Sequence, residues 1–200
     1  LEALGGAHGC ARGECLRGIA LETERLANHI GDLGALAGDI GYLPTASFCG
    51  RLRGEALNMT AVLCGNRFGR GLVVPGGVAH DVDTARAEEL LRRLSALERD
   101  VTVAADLLWD TQSVMARFEG TGTLTAADCR TMGLVGPAAR ASGLGRDVRT
   151  NHPAGIYSFF HIPVFTWDTG DVFGRAYVRW MEIQHSITFI REQLAFLPEG

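Results

Sequence analysis

Apolar side chains recur along four stretches of the chain at three- and four-residue steps, or sums of them, the spacing of one face of an α-helix. From about Gly13 to about Gly41 these positions are Leu16, Ile19, Leu26, Ile30, Leu33 and Ile40. A second stretch runs from near Cys49 to Cys64, with Leu52, Leu57, Val62 and Leu63, and stops at Gly65-Asn66. A third starts near Asp83-Thr84, which can cap it, and carries Leu90, Leu91, Leu94, Leu97, Val101, Ala104 and Leu108. The fourth starts near Gly170-Asp171 and shows Phe173, Tyr177, Trp180, Ile183, Ile187, Ile190, Leu194 and Leu197 before Pro198 ends it. Each amphipathic helix must bury its apolar stripe against a partner, so the pattern predicts a mainly α fold. The expected architecture is a bundle of about four long helices within a single domain, residues 1–200.

The rest of the pattern is less regular. Thr125 and Asp128 stand at capping-box spacing and predict a short helix from Thr125 to Met132. From Gly133 to Thr169 the periodicity is lost and Pro137, Pro153 and Pro163 intervene. Within this segment Ile156 to Ile162 and Val164 to Phe165 read as short strands. A loop this long in a compact domain is usually functional or packed on something else.

Composition narrows the function classes. No run of about twenty apolar residues is present, so no segment reads as a membrane span. The chain starts at Leu1 without an initiator Met, which reads as an internal fragment. A net charge of −4 offers no excess of cations to displace counterions from phosphates, which argues against nucleic acid as a partner. All 19 basic residues are Arg, which removes a Walker phosphate loop and a pyridoxal Schiff base, both of which need Lys. The five cysteines, Cys10, Cys15, Cys49, Cys64 and Cys129, are odd in number and irregularly spaced, as expected of free thiols in a reducing cytoplasm. His8, Cys10 and Cys15 together amount to half of a zinc site, and a zinc enzyme is retained as an alternative on that ground alone.

Two polar stripes carry the candidate chemistry. On the first helix Glu22, Arg25, His29, Asp32 and Asp39 fall within one arc of about 100°, beside the apolar face. Such a stripe is either a solvated salt-bridge ladder or a partly buried charged chain that guides protons or supports a redox site. Asp39, set in the Gly-rich end Ala37-Gly38-Asp39-Ile40-Gly41, would have a perturbed pKa if buried. On the fourth helix Arg175, Arg179, Glu182 and Ser186 form a second stripe, for which a solvated face is the default. Arg51 and Arg53 lie at the start of the second helix, and Arg140, Asp147 and Arg149 in the irregular segment. No dinucleotide fingerprint, nucleophile elbow or His-Glu-x-x-His spacing is present.

Taken in order, these segments resemble one family. They are Glu22-x-x-Arg25-x-x-x-His29, the Gly34 to Gly41 stretch with Asp39, Arg51-x-Arg53, and Gly65-x-Arg67 followed by Pro75-Gly76-Gly77-Val78. Further along come Gly133-Leu134-x-Gly136-x-x-x-Arg140-Ala141-Ser142-Gly143-x-x-x-Asp147-x-Arg149 and Gly170-Asp171-x-x-x-Arg175-x-x-x-Arg179-x-x-Glu182. The chain resembles the central part of the large quinone-pocket subunit of complex I (NADH-quinone oxidoreductase) and of the large subunit of energy-converting nickel-iron hydrogenases. The stretch Asn28 to Leu36 looks closer to the hydrogenase or formate-hydrogenlyase branch.

The resemblance implies a membrane-associated oxidoreductase that couples electron transfer to proton movement, on the cytoplasmic face of the membrane. It implies an iron-sulfur small subunit and membrane subunits as partners, with a quinone or nickel-iron centre in the parent. Iron-sulfur clusters and any NAD would sit on partner subunits. Neither Cys-x-x-Cys pair that holds nickel-iron in that family is in this sequence, so no catalytic residue, metal ligand or cofactor site is expected here. By itself the segment would be inactive. Asp39 matches an acidic residue linked to proton coupling, and Glu22, Arg25, His29, Arg51 and Arg53 match charged positions of the central bundle. Arg140, Asp147, Arg149, Asp171, Arg175, Arg179 and Glu182 are expected in structural or interface roles. The alternative from another class is a non-catalytic scaffold of the same fold.

Overall fold

The structure, a computed structural model, describes residues 2–199. The first element is a single turn, α1 (Glu2–Gly5). Helix α2 (Ala11–Asp39) follows, with the Cys10 thiol as its N-cap, accepting a hydrogen bond from the Gly13 amide at 3.3 Å. Leu16, Ile19, Leu26, Ile30 and Leu33 are each at most 1% exposed, and burial of such side chains contributes about 1.5–3 kcal/mol apiece. Helix α3 (Leu43–Cys64) starts a turn and a half earlier than the periodicity predicts. Pro44 falls in its first turn, where a missing amide leaves no hydrogen bond unmade, so the proline starts the helix instead of breaking it. Gly65, in the left-handed conformation, ends it.

Pro75-Gly76 turns a two-residue hairpin between β1 (Val73–Val74) and β2 (Gly77–Val78), with Val73 opposite Val78. Helix α4 (Thr84–Trp109) is capped by Asp83, whose carboxylate accepts from the Arg86 amide at 2.8 Å. A short helix, α5 (Gln112–Phe118), follows, and its terminal Phe118 is fully buried. Helix α6 (Ala126–Met132) carries the predicted Thr125–Asp128 capping box. The last helix, α9 (Val172–Ala195), is capped by Asp171. The fold is mainly α, with short β elements.

Helix α2 is the hub, packed against both α3 and α9, while α4 closes the bundle against the same two. The α2–α3 approach needs glycine: a Cβ on Gly34 would stand 2.8 Å from the Cys49 Cβ. The segment from Gly133 to Thr169 departs from expectation. It contains α7 (Gly136–Arg140), α8 (Val148–Asn151) and a 3-10 turn at Gly155–Ser158, and no strand among the described residues. Ile156, Tyr157 and Ile162 instead form a small apolar cluster with Phe189 of α9. The alternation reflects residues reaching down onto a helix, with no neighbouring extended segment to pair with.

Candidate functional site

Two carboxylates buried between α2 and α9 organise the site. Glu22 of α2 is fully buried, and Glu182 of α9 is 2% exposed. Isolated charges at such depth would be very costly, and each is fully partnered. Oε1 of Glu22 accepts from Arg149 Nη1 at 2.8 Å and from the Tyr157 hydroxyl at 2.7 Å, and its Oε2 accepts from the Ser186 hydroxyl at 2.6 Å. Oε1 of Glu182 accepts from Arg140 Nε at 2.6 Å, while its Oε2 accepts from Arg25 Nη1 at 2.8 Å and His29 Nε2 at 2.7 Å. Arg149 is held by Asp147, and Arg140 donates to the Arg146 carbonyl. Glu22, Glu182 and Asp147 are thus balanced by Arg25, Arg140 and Arg149.

The electrostatics follow from this balance. Burial alone would raise the Glu182 pKa, but the hydrogen bond from His29 and the charge of Arg140 reverse the sign and bring it to about 2. For Asp147, burial is likewise outweighed by Arg149, again to about 2. Glu22 is held below its ordinary value, with Arg149 and Arg25 overcoming its desolvation. Burial dominates at His29 and keeps it below 6.5 despite Glu182. The imidazole is therefore neutral at neutral pH, and since an ionised carboxylate can only accept, its Nε2 carries the hydrogen. Nδ1 has no hydrogen-bond partner among the described residues and is left as an acceptor.

The ionised Glu182 and Asp147 predict acid sensitivity. Unfolded, they bind protons near their ordinary values of 4.5 and 3.8; folded, they do so only near about 2. The unfolded state takes up protons first, so stability present above about 4.5 is lost as pH falls toward 2. His29 and His185, both lowered by burial, begin the same trend below 6.5. The urea midpoint is expected to fall steadily between about pH 7 and about pH 3. A flat profile would show that these carboxylates are not ionised partners.

Beside this network opens a cleft of about 1020 Å³, whose wall includes Arg25, His29, Arg140 and Arg146 and whose apolar side includes Leu21 and Val148.

The sequence profile of the family described as the respiratory-chain NADH dehydrogenase, 49 Kd subunit, matches residues 39–200. This chain belongs to that family. It is 34% identical over 190 residues to a carbon monoxide-induced hydrogenase of Rhodospirillum rubrum, covering 94% of this chain and 53% of that protein. It is 30% identical over 189 residues to a D-type subunit of the NADH-quinone oxidoreductase of Chloroherpeton thalassium, covering 94% of this chain and 43% of that protein. The D-type subunit of the F(420)H(2) dehydrogenase of Methanosarcina mazei is 29% identical over 189 residues, covering 94% of this chain and 50% of that protein. The chain thus spans about half the length of the curated relatives it matches.

Within this member of the 49 Kd subunit family, the residues singled out by sequence divide in two. Glu22, Arg25, His29, Arg140, Asp147, Arg149 and Glu182 converge on the buried network. Of the first-helix stripe, Glu22 to His29 is the partly buried chain, whereas Asp32 and Asp39 are exposed. Asp32 pairs with Arg179 at 2.9 Å. Asp39 is exposed, not buried, and has no hydrogen-bonded side-chain partner among the described residues. Arg51 and Arg53 lie on the exposed side of α3, Arg51 paired with Asp100 and stacked over Phe48, and Arg53 against Gly31.

The fourth-helix stripe is not a solvated face: Glu182 and Ser186 are buried because the irregular segment folds over them. Asp171 caps α9 and also accepts from the Gly120 amide, while Arg175 holds the carbonyls of Gly122 and Gly170. Tyr157 is the functional residue that sequence reasoning missed. Its only signal was a polar hydroxyl in an apolar run, which needs a partner once buried.

Among the described residues no three or more His, Cys, Asp and Glu side chains are grouped so as to hold a metal ion. Cys10 caps α2, whereas Cys15 is buried and turned to Gln193. No described helix is long and apolar enough to cross a membrane.

Proposed function

We propose that this chain is the helical core of the large subunit of a membrane-associated oxidoreductase complex of the NADH-quinone oxidoreductase or nickel-iron hydrogenase type, coupling electron transfer to proton movement. The observation that carries this reading is the buried network itself: two carboxylates from separate helices, a neutral histidine and three arginines, bordering an open cleft. In a low-dielectric site, a change of charge nearby shifts the proton affinity of every member. The similarity to hydrogenase and quinone-oxidoreductase subunits supplies the redox setting. The parent complex would hold a quinone or nickel-iron centre outside these residues, with iron-sulfur clusters and any NAD on partner subunits. An iron-sulfur small subunit and membrane subunits are its proposed partners, on the cytoplasmic face. Its metal ligands would lie elsewhere, and this segment alone would be inactive.

Asp39 provides the test. Its side chain is exposed and unpartnered among the described residues, so Asp39→Asn should leave fold and assembly intact. In the complete complex the variant is expected to lower coupled turnover and proton translocation. Unchanged turnover and translocation, in a complex assembled to the normal level, would overturn the coupling role proposed for Asp39 and its charged neighbours on α2.

A further inference from the structure

Oε2 of Glu182 accepts two hydrogen bonds at once, from Arg25 and from His29, residues one helical turn apart on α2. Weakening one donor's hold therefore strengthens the other's. The two are not equally fixed. The His29 side chain is 9% exposed and the Arg25 side chain 18%, and both lie on the cleft wall. Arg25 Nε is buried without a hydrogen-bond partner among the described residues, 3.6 Å from Glu22. Two further guanidinium groups line the same cleft. Arg140 is 4% exposed, and its Nη2 donates to no group among the described residues. The Arg146 side chain is exposed and also has no hydrogen-bond partner among them. Planar guanidinium edges without partners are suited to bidentate binding of a carboxylate-, sulfate- or phosphate-like group.

We propose that this cleft binds an oxyanion on Arg25, Arg140 and Arg146, and that binding draws Arg25 off Glu182 while His29 takes up a proton. The Arg25 Nη1–H···Oε2 hydrogen bond breaks and the guanidinium turns to the anion. A solvent proton adds to the bare Nδ1 of His29, and the resulting imidazolium keeps its Nε2–H on Glu182. Three carboxylates face Arg25, Arg140 and Arg149 at the start, and Arg146 stands outside those pairs. The two charges of an entering sulfate are matched by Arg146 and by the entering proton. Other charged groups stand near His29: Arg179 of α9 acts on it, Glu24, Asp147 and His152 line the same cleft, and Glu22 and Arg149 lie further along the network. Among the described residues only Arg25 shares the carboxylate oxygen to which His29 is bonded, so its displacement is the change His29 registers most directly.

The test uses the full-length protein labelled at histidine, with the His29 signal assigned by its loss in His29→Gln. The imidazole is titrated by NMR in sodium sulfate and in sodium chloride of matched ionic strength. Sulfate is expected to raise the His29 midpoint by about one unit, a tenfold gain in proton affinity, and chloride to leave it unmoved. Arg25→Gln should show the raised midpoint without sulfate and no further response. Arg146→Gln, at an exposed position that leaves the network intact, should keep the original midpoint and weaken the sulfate response. A His29 midpoint that sulfate does not move in the full-length protein overturns the proposal. Repeating the titration in the assembled complex separates the sources. A retained response means a free oxyanion; a midpoint already raised and insensitive to sulfate means a carboxylate from a neighbouring polypeptide. Because the titration is done at equilibrium without turnover, its outcome is independent of whether the network moves protons during catalysis.

Discussion

Glu182→Gln is expected to lower stability by about 3–5 kcal/mol, because it removes the shared counter-charge of a buried cluster and leaves the cluster's cations behind. Arg140 loses the acceptor of its Nε, held at 2.6 Å, and Arg25 loses the acceptor of its Nη1. The amide keeps the shape of the carboxylate but offers one acceptor oxygen in place of two, and its NH2 group faces donors already in place. Either orientation of the amide sets a donor against Arg140 or against Arg25 and His29. Urea unfolding would read the loss directly. The companion variant Glu182→Gln/Arg140→Met removes a cation together with the anion and should recover part of it, since a buried charge hurts most when its partner is missing. A single variant as stable as the parent would mean that the network is hydrated and the charges are not interdependent.

The second large effect is expected at a position with no side chain. Gly170→Ala should destabilise by on the order of 3 kcal/mol, combining backbone strain with a steric clash. Gly170 has φ +66, and a Cβ there would lie 2.0 Å from the Leu124 carbonyl oxygen, a backbone atom with little freedom to move. The same residue ties three segments together. Its amide donates to the Ala141 carbonyl at 2.8 Å, and its carbonyl accepts from the Leu124 amide at 3.0 Å. Pushing these apart would loosen the segment that carries Arg140 as well as the start of α9. Gly143→Ala is the control, since Gly143 has φ +82 but nothing within 4 Å of the place a Cβ would occupy. It should cost only about 1 kcal/mol, the conformational part alone. Equal melting-temperature losses for the two variants would show that strain, and not the contact with Leu124, sets the effect.

The long helices were legible because their evidence is local. Periodic apolar positions, the Asp83 and Asp171 caps, the Thr125–Asp128 box and the terminating Gly65 all act within one or two turns of the chain. The early start of α3 was obscured by Pro44, which breaks a helix interior but suits a first turn. Helix α5 was missed because seven residues carry too little periodicity to stand out. The two strands expected between Ile156 and Phe165 were misplaced because alternating apolar residues look alike whether they face a sheet or lean on a helix.

The sequence by itself determined the helical class, the four long helices and the identity of almost every charged residue that matters, through spacing and through likeness to one family. It could not determine which of those charges are buried. That was settled when the segment from Gly133 to Thr169 folded over the α2–α9 seam, bringing Arg140, Arg149 and Tyr157 onto carboxylates 42, 127 and 135 residues away. The same packing left Asp39, Arg51 and Arg53 outside, although their spacing is equally suggestive. Periodicity records which side chains share a face of one helix. Desolvation, and with it the shifted proton affinities of Glu182 and His29, depends on what another part of the chain lays across that face.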